Sequence, residues 1–143
     1  MSGSFTVDAS VFLSAANPGE SGHLQSRRFL EAVGRSSAPL VLPTLVLPEV
    51  AAGYARSMGD PEIGAALAAR ISDIPDVILV VLDEPLAEDA VSIALQGGLK
   101  GSDAVYAATA RRFGATLVTV DRQQRKRAPA DVVARYPAEM LGE

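Results

Sequence analysis

GSDAVYAATARRFGATLVTVD, residues 101–121, combines a helix, a turn and a strand in one continuous stretch. Ser102 is a residue type that caps helices, and it predicts a helix over residues 103–113 that Gly114 ends. Residues 116–120, TLVTV, then predict a strand, and Asp121 follows that strand directly. The stretch therefore places one aspartate, Asp103, at a helix start and another, Asp121, at a strand end.

The same alternation of strand and helix extends outward to both ends of the chain. Further strands are predicted at residues 5–7 and 40–42, with a short edge strand at 132–133. The continuous apolar run VILVVL, residues 77–82, predicts a strand that is buried on both faces. This alternation is typical of an α/β fold, here a single-domain α/β/α sandwich over residues 1–143 with a central, mainly parallel sheet.

Helices are predicted between these strands from their caps and from the spacing of apolar residues. Their expected ranges are 11–16, 21 to about 34, about 45 or 48 to 58, 61 to about 74, and 84–97. The expected caps are Ser21, Asp60 and Asp83. The second helix is expected to bury Leu24, Phe29, Leu30 and Val33.

Composition excludes several classes of site. The chain has no cysteine, which excludes disulfides, thiol nucleophiles and thiolate zinc sites. A single histidine, His23, argues against zinc enzymes and a Ser-His-Asp triad. The net charge of −4 argues against a general nucleic-acid binder, although it is compatible with an enzyme that meets RNA through metal and a local basic patch. We expect a soluble cytoplasmic protein without a membrane segment.

Four acidic residues occupy positions where a parallel sheet places its ligand site. Asp8 and Asp121 each follow a strand directly, and Asp103 lies in the first turn of a helix. Glu49 lies early in the apolar helix LVLPEVAAGYA. Each residue alone has an ordinary structural explanation as a cap, a turn residue or a solvated side chain. Because ligands bind beyond the carboxyl ends of parallel strands, the set together predicts a functional cluster.

Carboxylates that lie together without cationic partners repel one another, and a hard divalent cation relieves that repulsion. Mg²⁺ and Mn²⁺ prefer oxygen ligands, and Mg²⁺ keeps several of its waters. Such an ion lowers the pKa of a bound water and stabilises charge on a phosphate. The cluster is therefore suited to phosphodiester hydrolysis.

Four segments of the chain resemble the acidic motifs of the PIN domain family, in the family's order and across nearly the whole chain. They are VDASVF, LPEVAAG, KGSDAVYAATA and LVTVD. The matching positions are Asp8 with Ser10, Glu49, Asp103 with Ala104, Ala107 and Ala108, and Thr119 with Asp121. No single motif is specific, but the ordered set is.

The resemblance implies an endoribonuclease that cuts single-stranded or structured RNA with Mg²⁺ or Mn²⁺. At this size the chain looks most like a VapC-type toxin of a toxin–antitoxin pair, which implies a homodimer held inactive by a small antitoxin protein. Our hypothesis is that Asp8, Asp103 and Asp121 bind one metal ion. Glu49 would complete that site or support a second ion.

Two further groups of residues are assigned supporting roles in this hypothesis. Ser10 and Thr119 are expected to hydrogen-bond carboxylates or metal-bound waters. The basic side chains just after the fourth acid are expected to hold the RNA backbone; they are Arg122, Arg125, Lys126 and Arg127.

Two other functions stay open from the sequence. The chain is alternatively a non-catalytic PIN-like module that binds RNA or a protein, or a metal-dependent phosphatase. The Asp-x-Asp of haloacid phosphatases is absent, because residue 10 is serine. The stretch GGLKGS does not have the Gly-Lys-Ser/Thr order of a phosphate-binding loop.

Overall fold

A computed structural model describes residues 1–143 and has a five-stranded sheet with helices on its faces. The strands are β1 Phe5–Val7, β2 Leu40–Pro43, β3 Val77–Val80, β4 Thr116–Val118 and β5 Ala134–Arg135. The helices are α1 Ala9–Ala16, α2 His23–Ser36, α3 Val46–Met58, α4 Pro61–Ser72, α5 Glu84–Gly97, α6 Gly101–Phe113, α7 Arg122–Arg127 and α8 Pro137–Met140. None of these helices has both the length and the apolar character required to cross a membrane.

The sheet has the order β3-β2-β1-β4-β5, and every pairing in it is parallel. The α/β/α fold with a central parallel sheet, predicted from the alternation of elements, is confirmed. Phe5 of β1 lies opposite both Leu40 and Thr116, so β1 is the central strand. Its carboxyl end, where Asp8 follows, therefore lies in the middle of one edge of the sheet.

The core is built on the central strands and on α6. Phe5 and Val7 are fully buried, and the ring of Phe5 meets Phe29 of α2 edge-on at 5.6 Å between centroids. All residues of α6 from 104 to 110 are buried, and four of them are alanines. Small side chains let this helix lie close to the sheet, which brings Asp103 near the strand ends.

The apolar run at residues 77–82 is not buried on both faces, as the sequence predicted. The strand β3 is the edge strand beside β2, and Ile78 is 46% exposed. It ends at Val80, and Val81 is 68% exposed. An apolar run fits an edge strand as well as a central one, because sheet order depends on the whole chain. The last strand is at the other edge as expected, but over Ala134–Arg135 rather than residues 132–133.

The aspartate caps were predicted correctly and the serine caps were not. Asp60 and Asp83 each accept a hydrogen bond from a backbone amide in the first turn of α4 and α5. Ser21 lies in the turn before α2 and does not cap it, and Ser102 lies inside α6, which starts two residues earlier than expected. Leu24 is 57% exposed, so it is not on the buried face of α2.

The contact between α3 and α4 depends on Gly64. A Cβ atom at this position would overlap the backbone oxygen of Ala51 and lie 2.9 Å from the Cβ of Ala55. We expect Gly64→Ala to lower the free energy of unfolding by about 1–3 kcal/mol, as overpacked sites do. Urea unfolding measures this change.

Gly34→Ala is the matched control, because nothing lies within 4 Å of a Cβ atom built at that helical position. We expect this variant to gain about 0.4–1 kcal/mol of stability. A Gly64→Ala variant as stable as the Gly34→Ala variant would contradict the close packing of α3 on α4.

Candidate active site

The carboxyl ends of β1 and β4 form the base of the site. The backbone N–H of Asp8 donates to the carbonyl of Val118 at 2.9 Å, which joins the two strands at this end. Asp8 is the N-cap of α1, and Asp121 is the N-cap of α7. Because β1 and β4 are parallel neighbours, both aspartates lie at the same edge of the sheet.

Asp8 is the most buried of the four acids, with only 7% of the residue exposed. Its carboxylate accepts hydrogen bonds from the backbone N–H of Ser10 at 3.0 Å and from Nε2 of Gln124 at 3.2 Å. Burial raises the pKa of Asp8, and the charge of Asp121 adds to the rise. Hydrogen bonds from the Ser10 side chain, the Ser10 backbone and Gln124 offset only part of this effect.

Asp103 is half-buried in the first turn of α6. Its pKa is raised to about 6, first by burial and then by the negative charges of Asp8 and Asp121. Glu49 adds a smaller contribution of the same sign, and Lys100 opposes it. Because the charges of three other carboxylates raise its pKa, Asp103 lies in one cluster with them.

Glu49 reaches the cluster from α3. Pro48 precedes it within the first turn, where a missing backbone N–H does not interrupt the helix. One oxygen of Glu49, Oε1, accepts a hydrogen bond of 2.6 Å from the hydroxyl of Tyr106. Burial and the charge of Asp8 raise the pKa of Glu49, while this hydrogen bond lowers it. The structure thus brings all four predicted acids together, and their role as metal ligands stays a prediction.

Ser10 and Thr119 join α1 to the turn after β4. Their hydroxyl oxygens are 3.4 Å apart, and the backbone N–H of Val120 donates to the Ser10 hydroxyl at 3.3 Å. The backbone N–H of Asp121 donates to the Thr119 hydroxyl at 3.0 Å. In these hydrogen bonds the backbone amides donate to the hydroxyls, so both residues position the loop that carries Asp121. A hydrogen bond from the Ser10 side chain also lowers the pKa of Asp8.

The basic segment folds as α7, and two of its four cations have partners within the chain. Arg125 forms two hydrogen bonds with the carboxylate of Glu139, at 2.6 and 2.7 Å, and stacks over Tyr136. Arg127 donates to the carbonyl of Gly98 at 3.0 Å. These contacts fasten α7 to α8 and to the loop before α6.

Arg122 and Lys126 of α7 are exposed and have no ion-pair partner. Lys100, which precedes α6, is also exposed and acts electrostatically on Asp103. Two of the four predicted cations are therefore without a partner, Lys100 is a further exposed cation, and the RNA-binding role of the segment stays a prediction.

Two residues of the site were not predicted from the sequence. Tyr106 binds Glu49, and the fully buried Gln124 binds Asp8 while its own Oε1 has no partner. Tyr106 lies three residues after Asp103 in α6. Gln124 of α7 lies three residues after Asp121, the N-cap of that helix. That spacing puts side chains on one helix face and was the available signal.

The donor set fits a hydrated divalent cation rather than a preformed cage. All the clustered groups are carboxylates, and burial together with mutual repulsion raises the pKa of three of them. No three acidic or histidine side chains are arranged so that they hold an ion directly. Mg²⁺ commonly binds through about one or two carboxylates and retains several waters, which suits this arrangement.

The model of the PIN domain family matches residues 5–129 of the sequence. The chain belongs to the PIN domain family. No curated protein matches it in sequence. The matched range includes all four acids.

Solved structures share the fold of this PIN domain. VapBC2 from Rickettsia felis, bound to a DNA fragment from their promoter, has a TM-score of 0.69 at 17% identity, covering 93% of this chain and 98% of that one. VapC20 from Mycobacterium tuberculosis, a sarcin–ricin loop cleaving toxin, has a TM-score of 0.70 at 22% identity, covering 91% and 98%. A toxin–antitoxin complex from Klebsiella pneumoniae has a TM-score of 0.65 at 20% identity, covering 95% and 98%.

Repulsion within the cluster predicts how stability depends on pH. The pKa of Asp103 rises from its ordinary 3.8 to about 6 on folding, so the folded state holds this proton more tightly. Stability is therefore lost as pH rises from the unfolded value through the folded one. At pH 7.5 in EDTA we expect Asp103→Asn to gain about 1 kcal/mol after allowance for its exposure, or about 2–5 °C in melting temperature.

Asp83→Asn is the control, because the opposite change in melting temperature is expected for it. Arg112 holds the pKa of the Asp83 carboxyl below its ordinary value, so this variant should melt at a lower temperature than the native protein at pH 7.5. If Asp103→Asn also lowers the melting temperature, Asp103 is an ordinary first-turn carboxylate and not part of a repulsive cluster.

Proposed function

We infer that this PIN domain is a metal-dependent endoribonuclease that hydrolyses RNA phosphodiester bonds, and that it is the toxin of a VapBC-type toxin–antitoxin pair. The observation that carries this proposal is the convergence of four carboxylates at the carboxyl edge of the sheet, three of them with raised pKa values. The fold shared with a toxin described as cleaving the sarcin–ricin loop supports RNA as the substrate.

Asp8, Asp103 and Asp121 would hold Mg²⁺ or Mn²⁺, with Glu49 completing the set. A bound ion supplies an activated water and stabilises charge on the scissile phosphate. Asp8 is suited to anchor the ion because its carboxylate is buried and fixed by two hydrogen bonds. Asp121 lies on the solvent side of the cluster, where it can reach a hydrated ion.

The RNA backbone would lie against the exposed cations beside the acids. Arg122 and Lys126 follow Asp121 on α7 and have no competing partner, so they are the first candidates for phosphate contacts. Arg125 and Arg127 were expected to share this role, but each would have to leave its present partner. We propose that these two arginines mainly hold α7 in place.

Replacing the anchoring carboxylate tests the nuclease activity. We expect Asp8→Asn to reduce metal-dependent RNA cleavage by at least about 100-fold, because it removes a charged ligand from the reacting centre. Chelation of the metal should abolish cleavage by the native protein. Gel assays of a defined RNA, with Mn²⁺ and with EDTA, measure both effects.

Asp60→Asn is a matched control for the loss of an aspartate cap. Asp60 caps α4 through the amide two residues on, as Asp8 caps α1, but it lies outside the cluster. We expect it to cleave at the native rate. Equal cleavage by Asp8→Asn and the native protein would refute the assignment, and phosphomonoester hydrolysis without RNA cleavage would favour a phosphatase.

An apolar groove lined by residues of α1, α2, α3 and α4 offers a surface for the antitoxin. It has a volume of about 900 Å³ and lies between the pair α1 and α2 and the pair α3 and α4. Most of its lining is apolar, including Phe12, Leu30, Ile63 and Leu67. Such grooves bind the apolar face of an amphipathic segment. The Klebsiella pneumoniae toxin–antitoxin complex supports a partner of this kind.

Filling this groove should prevent inhibition by the antitoxin and leave RNA cleavage unchanged. Ala66 on α4 is exposed and lines the groove, so Ala66→Arg should fill it without disturbing the core. We expect this variant to cleave RNA normally and to escape inhibition when it is co-expressed with a small antitoxin encoded beside its gene. Growth arrest of the host and copurification of the two proteins are the measurements.

Ala65→Arg is the control, because Ala65 is exposed on the same helix but does not line the groove. It should stay inhibited like the native protein. Full inhibition of Ala66→Arg would place the antitoxin elsewhere and leave the nuclease proposal intact. The homodimer and the cytoplasmic location expected from the sequence stay predictions.

A further inference from the structure

The shortest side-chain hydrogen bond among the acids is the one between Tyr106 and Glu49. The Tyr106 hydroxyl donates to Oε1 of Glu49 at 2.6 Å, and it joins the middle of α6 to the first turns of α3. Tyr106 is fully buried. A buried hydroxyl is costly unless it is hydrogen-bonded, and the contact with Glu49 uses its proton, while the backbone N–H of Ala9 also bonds to it.

Packing alone does not require a tyrosine at this position. The neighbouring residues of α6 are alanine and valine, and a phenylalanine ring would fill the same space against the core. The hydroxyl is thus the part of the side chain that serves Glu49. Burial and the charges of Asp8 and Glu49 raise the pKa of Tyr106, so its hydroxyl keeps its proton and always donates.

A glutamate in the first turns of a helix ordinarily samples several side-chain conformations. Fixing one of its oxygens removes that freedom before any ion binds, so the ion does not have to order the side chain. The second oxygen, Oε2, is left without a hydrogen-bond partner in the chain and remains available to an ion or to one of its waters.

We propose that Tyr106 is a positioning residue, whose hydroxyl holds Glu49 in the conformation in which its free oxygen serves the metal site. This inference rests on the proposed metal-dependent nuclease function. It assigns a role to a residue that makes no contact with the metal or with RNA itself. Outer hydrogen-bond partners of this kind change metal affinity or activity by about 10–100-fold when they are removed.

Tyr106→Phe removes only the hydroxyl, and Tyr54→Phe is its matched control. The Tyr54 hydroxyl also donates to a single oxygen, the carbonyl of Ala16 at 3.2 Å, away from the acids. Calorimetric titration of each full-length variant with Mn²⁺ gives the affinity, and thermal melting in EDTA checks the fold. We expect Mn²⁺ to bind about tenfold more weakly to Tyr106→Phe and with native affinity to Tyr54→Phe.

RNA cleavage kinetics add a second measurement. Tyr106→Phe should lower kcat with little change in KM, because Tyr106 does not touch the RNA. A double-mutant cycle with Glu49→Ala, which removes the acceptor, then distinguishes positioning from packing. This cycle requires Glu49→Ala rather than Glu49→Gln, because a glutamine oxygen would still accept from Tyr106. In the Glu49→Ala background, Tyr106→Phe should have little further effect on Mn²⁺ affinity.

Native Mn²⁺ affinity in Tyr106→Phe would overturn the inference, as would a loss that adds fully to that of Glu49→Ala. Either result leaves the proposed function standing if the native protein binds Mn²⁺ and cleaves RNA. A native protein that neither binds Mn²⁺ nor cleaves RNA would refute both. The native measurements thus separate the failure of the inference from the failure of the function.

Discussion

The site depends on a carboxylate buried at the end of the central strand. Asp8 is 7% exposed, and burying a charge of this kind is unfavourable unless nearby groups compensate it. The Ser10 amide and the Gln124 side chain supply two hydrogen bonds, but the nearest charges are negative. The fold holds Asp8 there because β1 is paired on both sides and is fixed in the core.

The positions of the other three acids depend on how the sheet and its helices pack around β1. Asp121 lies at the same edge because β4 is the parallel neighbour of β1, and Asp103 approaches because α6 is lined with small residues. Glu49 is brought in by α3 and held by Tyr106. Repulsion among these carboxylates therefore lowers the stability of the fold, and a divalent cation is the ligand that best relieves this repulsion.

Much of this arrangement was predictable because it rests on local patterns. Strand–helix alternation predicted the parallel sheet, and acids that directly follow strands predicted which residues meet at its edge. Asp60 and Asp83 were recognisable caps, since an aspartate before a helix has a local partner in the first-turn amides.

The features that were not predicted depend on contacts between distant parts of the chain. The edge position of β3 is set by sheet order, which an apolar run does not encode. The partners of Arg125 and Arg127 lie on α8 and in the loop before α6, so these arginines looked free in the sequence. Tyr106 and Gln124 looked like ordinary helix residues, because their partners, Glu49 and Asp8, are remote in sequence.

The most direct test of the central claim is to locate a bound ion among the four acids. Anomalous diffraction from crystals of the native protein soaked in Mn²⁺ gives the ion's position without reference to activity. We expect a peak within about 2.6 Å of a carboxylate oxygen of Asp8 and of at least one other acid of the cluster, with waters completing the coordination. Full-occupancy Mn²⁺ only at carboxylates outside the cluster, or no bound Mn²⁺ at all, would contradict it.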